Sequence, residues 1–171
     1  QKFFGFTDDR ITPQNWEALY DRAAAKMAEP DWEDQCLKSS KIERVFLTND
    51  FDDPLEGFDT HRYIPCLRTD DLVFHLARPE VRTRLANCTG VEFHNTVTLK
   101  DALGKLFAHF SKKGVRACAI SLPPSFSPKQ VGLHEVRPAL QKIIGNEPMT
   151  GDEQARVSEF VFWSLAEYCA E

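Results

Sequence analysis

Much chemistry is excluded by what this 171-residue sequence lacks. Its eight glycines are scattered, and none falls into G-x-G-x-x-G or G-K-[ST], so no glycine-rich loop is available to cradle a phosphate. The five histidines (His61, His75, His94, His109 and His134) stand at least 14 positions apart, which leaves no H-x-H or H-E-x-x-H metal pair. Five cysteines (Cys36, Cys66, Cys88, Cys118 and Cys169) include no C-x-x-C. Their odd number and wide spacing argue for reduced thiols in a cytoplasmic protein and against a zinc knuckle or disulfide scaffold. No signal peptide is expected, and no apolar run approaches the ~18 residues of a membrane span. A net charge of -5 without a Lys/Arg stripe argues against a nucleic-acid partner. Ser121 lacks the G-x-S-x-G setting of a hydrolase nucleophile.

What is present is a globular composition, 42% hydrophobic and 27% charged, of a length that suits a single domain over residues 1–171. Two short apolar runs end abruptly in acids: Val45-Phe46-Leu47 before Asn49, Asp50, Asp52 and Asp53, and Ile64-Pro65-Cys66-Leu67 before Arg68, Asp70 and Asp71. A third run, Val115 to Leu122, ends without an acid. Buried parallel strands read as such continuous runs, and α/β proteins bind ligands beyond their carboxyl ends. Helical periodicity predicts a first helix with Thr12 as N-cap and Pro13 at its first position, placing Trp16, Leu19, Tyr20, Ala23 and Met27 on an inward face. A short helix is expected over Trp32 to Ser39 and another from Pro79 to Thr89-Gly90. The best amphipathic helix begins at Thr98 and closes at Gly114. A further helix over Val136 to Ile144 precedes a capping box, Thr150-Gly151-Asp152-Glu153, that opens the last helix. Strands alternating with helices predict a parallel α/β sheet, either open or an arc of a (β/α)8 barrel.

Asp50, Asp52 and Asp53 can be read as metal ligands, acid/base groups or holders of sugar hydroxyls, or simply as caps of the following turn. Arg68 offers a planar fork for a carboxylate or phosphate, or a partner for Asp70 or Asp71. Cys66 reads as a buried thiol. The Pro-rich loop from Pro123 to Pro128 leaves a strand end, where site-lining loops are found.

At these residues the sequence resembles the uronate (glucuronate) isomerase family. Phe3-Phe4-Gly5, the Ile11-Thr12-Pro13 helix start, Asp52-Asp53-Pro54, Arg68-Thr69-Asp70, the Leu99 to Gly114 helix and the Thr150 capping box follow the family's order across the whole chain. The resemblance implies a segment of a metal-dependent amidohydrolase-type (β/α)8 barrel, roughly strands two to four. The parent would interconvert aldo- and keto-hexuronates, such as glucuronate and fructuronate. It also implies that the chain is an internal fragment, inactive alone. The start at Gln1 rather than Met and the uncapped helix end at Glu171 agree with an excised piece.

By resemblance Arg68 grips the sugar-acid carboxylate, while Asn49, Asp50, Asp52, Asp53 and Asp70 orient hydroxyls or brace that arginine. No metal ligand is expected in this segment. A divalent metal such as zinc would be held by the parent's first strand, upstream of Gln1. The implied partner is a small sugar acid, with no nucleic acid or membrane, and exposed sheet edges leave a homo-oligomer open. The sequence departs from the family at three places. Asn49-Asp50-Phe51 lengthens the first motif, Leu67 and Thr69 replace Trp and Pro around Arg68, and Cys118-Ala119-Ile120 stands where S-D-H is expected. A metal-dependent hydrolase of the same superfamily and a non-catalytic carboxylate- or sugar-binding homologue are the alternative readings.

Overall fold

The computed structural model describes residues 3–170, which divide into two compact units at Val45/Phe46. The first holds α1 (Trp16–Met27) and α2 (Trp32–Ser39), neither of which buries a residue. Phe3 and Phe4 pack edge-on and stacked against the Trp32 ring, at 5.7 and 5.4 Å. α1 begins three residues after Pro13, because Thr12 is spent on a preceding turn: its carbonyl accepts from the Asn15 and Trp16 N–H groups. The inward face expected of α1 is instead open, with Trp16, Tyr20 and Met27 about half or more exposed. Helical spacing alone identifies an apolar stripe, not what covers it.

In the second unit the continuation of β1 (Val45–Phe46) runs parallel to β2 (Tyr63–Ile64) and β3 (Cys66–Arg68). Leu47 N–H donates to the Ile64 carbonyl, Asn49 N–H to Cys66, and Arg68 N–H back to Asn49, each at 2.9 Å. On its other side β3 pairs in parallel with β4 (Ala117–Ala119), in the register Cys66↔Ala117, Leu67↔Cys118 and Arg68↔Ala119. The three apolar runs therefore lie side by side with their carboxyl ends aligned, although each is regular for only two or three residues. The link from Leu47 to Arg62 contains no helix, so the first two strand units follow one another directly. Phe51 and Leu55 bury their side chains there in place of a helix face. Leu55 sits at φ +56°, which costs a non-glycine residue roughly 1–2 kcal/mol. Near-complete burial of its side chain, worth about 1.5–3 kcal/mol, offsets that.

The helices supply the core. α3 (Asp70–Phe74) leads into α4 (Pro79–Thr89), which Gly90 ends in the left-handed region as its position predicts. α5 (Thr96–Lys112) starts earlier than the periodicity suggests: Asn95 is its N-cap, and Thr98 is the return member of the capping box. Leu99, Leu103, Leu106 and Phe110 are all buried on the expected face. α6 (Leu133–Gly145) extends past both expected ends. α7 (Gly151–Ala170) opens on the expected box: Glu153 N–H donates to Thr150 Oγ1 at 3.2 Å, while Thr150 N–H donates to Glu153 Oε2 at 2.9 Å. α7 packs on α3, α5 and α6 and buries Val157, Phe160, Val161 and Leu165. No helix among the described residues is long and apolar enough to cross a membrane.

Candidate functional site

Because the parallel strands end level with one another, Asp50, Arg68, Asp70 and Ser121 meet at one edge. Arg68 leaves the end of β3 with its side chain half exposed. Its Nε lies 3.4 Å from Asp70 Oδ2, and one terminal nitrogen lies 3.8 Å from Asp50. Both contacts are long for a charge-assisted hydrogen bond. Asp70 is the first residue of α3, where a carboxylate suits the positive end of the helix. Its other oxygen accepts the Ser121 N–H at 3.1 Å across the β3–β4 join. Burial pushes the Asp70 carboxyl up, but the Ser121 hydrogen bonds and the Arg68 charge outweigh it, leaving the group below its ordinary value.

The tight pairing on this face belongs to a residue the sequence reading did not single out. Arg84 of α4 donates to both oxygens of Asp52, through Nε at 2.8 Å and a terminal nitrogen at 2.5 Å. Its other terminal nitrogen donates to Asp71 at 2.8 Å, and Asp50 lies 3.6 Å away. The guanidinium also stacks 4.6 Å over the buried Phe51 ring. The hydrogen bonds from Arg84 hold the Asp52 carboxyl below its ordinary value, and Asp52 drives the guanidinium above its own. One sequence signal could have found Arg84. It flanks Val81 and Leu85, the two buried positions of α4, so it projects beside the core rather than away from it.

Asn49 and Asp53 are committed to local structure. The Asn49 amide donates to Asp53 Oδ2 at 3.1 Å and accepts the Cys66 N–H at 3.3 Å, fixing the register of β3. Asp53 Oδ1 accepts the Leu55 N–H at 2.7 Å, the turn-capping role weighed from the sequence. The structure thus brings Asp50, Arg68 and Asp70 together at one strand-end edge, gives Asp52 to Arg84, and commits Asn49 and Asp53 to local bonds.

The departures around Arg68 also acquire a physical meaning. Thr69 is buried, and its N–H donates to the Ala119 carbonyl at 2.9 Å, with Oγ1 also within 3.3 Å of that oxygen. A proline at position 69 has no N–H and could not form this rung. Ala119 and Ile120 bring no ionisable group to the end of β4, and Ile120 packs against the core. In the Pro123–Pro128 loop, Phe126 packs edge-on between Phe74 of α3 and Phe162 of α7, at 5.2 and 5.6 Å. Among the described residues no group of three or more His, Cys, Asp or Glu side chains could hold a metal ion. The acids that approach one another are already engaged with arginines.

Comparison with known proteins gives a consistent answer. The sequence profile of the family described as glucuronate isomerase matches residues 1–171. A uronate isomerase of Histophilus somni (strain 2336) is 25% identical over 183 residues, covering 96% of this chain and 38% of that protein. The crystal structure of a uronate isomerase from Thermotoga maritima superposes with a TM-score of 0.78 at 20% identity, over 93% of this chain and 37% of the other. That of a glucuronate isomerase from Caulobacter crescentus gives 0.78 at 16% identity, over 96% and 36%. At such identities the structural likeness establishes the fold, a mixed α/β arrangement of short parallel strands and helices. The chain spans little more than a third of the length of these relatives. With the profile matched from first residue to last, this chain belongs to the glucuronate isomerase family.

Proposed function

We propose that residues 1–171 form one wall of the sugar-acid site of a hexuronate aldose–ketose isomerase, as consecutive strands and helices of an amidohydrolase-type (β/α)8 barrel. The observation that carries the reading is the state of Arg68. It stands at a strand end with its fork half exposed and held only by long contacts to Asp50 and Asp70. A hexuronate carboxylate can take two N–H donors from such a guanidinium in parallel, and Arg84 leaves no comparable opening. Asp50 and Asp70 then face the sugar as acceptors for hydroxyl groups.

This wall binds rather than moves protons. A group that takes the C2 proton and returns it at C1 works best with a pKa near the operating pH. Asp52 and Asp70 are both held below the ordinary carboxylate range, which makes them weaker bases and suits them to accepting hydrogen bonds. The proton-transfer groups, and any divalent metal such as zinc that polarises the carbonyl, belong to other parts of the parent chain. We take that parent to be a cytoplasmic enzyme, with this segment part of its single barrel domain.

The test pairs two measurements. Titration calorimetry of the chain with D-glucuronate should give weak binding that Arg68→Ala removes, with Arg68→Lys only partly restoring it. The full-length parent, supplied with a divalent metal, should convert glucuronate to fructuronate. Unchanged affinity in Arg68→Ala would remove Arg68 from the site. Turnover of amide or lactone substrates without hexuronate turnover would replace isomerisation with hydrolysis.

A further inference from the structure

Two of the five cysteines, far apart in sequence, meet in space. Cys118, in the middle of β4, and Cys169, in the last turn of α7, are 51 positions apart, yet their sulfurs lie 3.5 Å from one another. Both are free thiols, Cys169 exposed and Cys118 half-buried. The last turn of α7 is held where it is by the residue before Cys169. The Tyr168 hydroxyl donates to the Lys100 carbonyl at 2.8 Å, and its ring lies 5.3 Å from that of Phe107. Close approach of Tyr168 to α5 depends on Gly104, where a Cβ would meet the tyrosine oxygen at 3.0 Å. The two thiols are therefore presented to each other by anchored elements rather than by a chance encounter of mobile ends. An S–S bond is about 2.05 Å long, so the sulfurs need to close by roughly 1.5 Å, a displacement within reach of side-chain rotation in an exposed helical turn.

We propose that Cys118 and Cys169 form a redox latch, closing to an intramolecular disulfide by exchange with a small-molecule disulfide such as oxidised glutathione. The exposed Cys169 thiolate attacks one sulfur of the small disulfide. That S–S bond breaks, a mixed disulfide forms on Cys169, and one small thiolate leaves and takes up a proton. Cys118 gives its proton to solvent and attacks Cys169 Sγ, the mixed S–S bond breaks, and the second small thiolate leaves. Two protein thiols are oxidised by two electrons while one small disulfide is reduced to two thiols. Burial, together with the neighbouring Cys169 thiol, pushes Cys118 up to about 12, which fits it to the second, resolving step rather than the first. The closed latch would tie the end of α7 to β4, next to Ala119, whose carbonyl carries Thr69 and the end of β3.

The reduced chain, incubated with oxidised glutathione and digested under non-reducing conditions, tests this by mass spectrometry. The expected product joins the Cys118 and Cys169 peptides, and the titratable thiols fall by two from five. Cys118→Ser should stop at glutathione on Cys169, whereas Cys169→Ser should leave Cys118 unmodified over the same time. Gly104→Ala, which displaces Tyr168, should slow the cross-link several-fold while the thiols stay reactive. A stable mixed disulfide on Cys169 in the unmodified sequence would overturn the proposal. So would cross-linking to Cys66 or Cys88 as often as to Cys118.

Discussion

Arg84 and Arg68 stand on the same acidic face and share Asp50, at 3.6 and 3.8 Å, yet they hold their charges in opposite ways. Arg84 reaches in from a helix, forks both oxygens of Asp52, takes Asp71 with its remaining arm and lies on Phe51. Arg68 leaves a strand end with its guanidinium 3.4 Å from Asp70 and nearly half its side chain in solvent. A guanidinium whose donors are filled braces the structure. One whose donors are only loosely engaged can exchange those contacts for a ligand carboxylate. Proximity to acids alone does not separate the two, since either arginine could be called paired. The bond lengths and the fork geometry do.

The sharpest way to break the comparison is to remove each arginine in turn. Arg84→Ala leaves Asp52 and Asp71 facing each other across a gap. We expect a loss of about 2 kcal/mol in urea unfolding, after allowing for partial exposure of the group. Arg84→Lys should recover less than half of it, because an ammonium cannot fork Asp52. Arg68→Ala should leave stability within about 0.5 kcal/mol while weakening hexuronate binding at least about tenfold, equivalent to about 1.4 kcal/mol. If both variants lose stability equally, the distinction fails.

Smaller effects sharpen it. Asp52 and Asp70 have folded-state pKa values below their unfolded ones, so the stability they contribute is present above the unfolded carboxylate value near pH 4. It is lost as pH falls through the folded values. Urea midpoints measured from pH 6 down to pH 2 should therefore decline, with Asp52→Asn flattening the profile more than Asp70→Asn. Asp50, exposed and only loosely paired with each arginine, comes last. Asp50→Asn should change stability by less than about 0.5 kcal/mol, and a double-mutant cycle with Arg84 should show coupling no larger.

The sequence disclosed what depends on neighbours along the chain. The α7 capping box, the stop at Gly90 and the buried face of α5 each rest on residues three or four positions apart, and all three are present. The strand-end motifs also announced the acidic face. What stayed hidden depends on partners far away in the chain. Arg84 meets Asp52 across 32 positions, and Cys118 meets Cys169 across 51. The exposed face of α1 belongs to the same class, since periodicity marks a stripe as apolar without naming its cover. Within the acidic run, local chemistry separated nothing either. Asp52 and Asp53 are adjacent, yet one forks an arginine and the other caps a turn.

The join between β3 and β4 also says something about time. Thr69 and Ser121 each donate a backbone N–H across about fifty residues, Thr69 to the Ala119 carbonyl and Ser121 to the Asp70 carboxylate. The loop these bonds close contains α4 and α5, whose own helical hydrogen bonds are local. Long closures carry an entropic cost that is recovered only once the intervening elements exist. The amides of Thr69 and Ser121 should therefore gain protection late in refolding, after those of α5, which pulse-labelled hydrogen exchange can follow. On that order of events Arg68 acquires its setting only after the helices between β3 and β4 have formed.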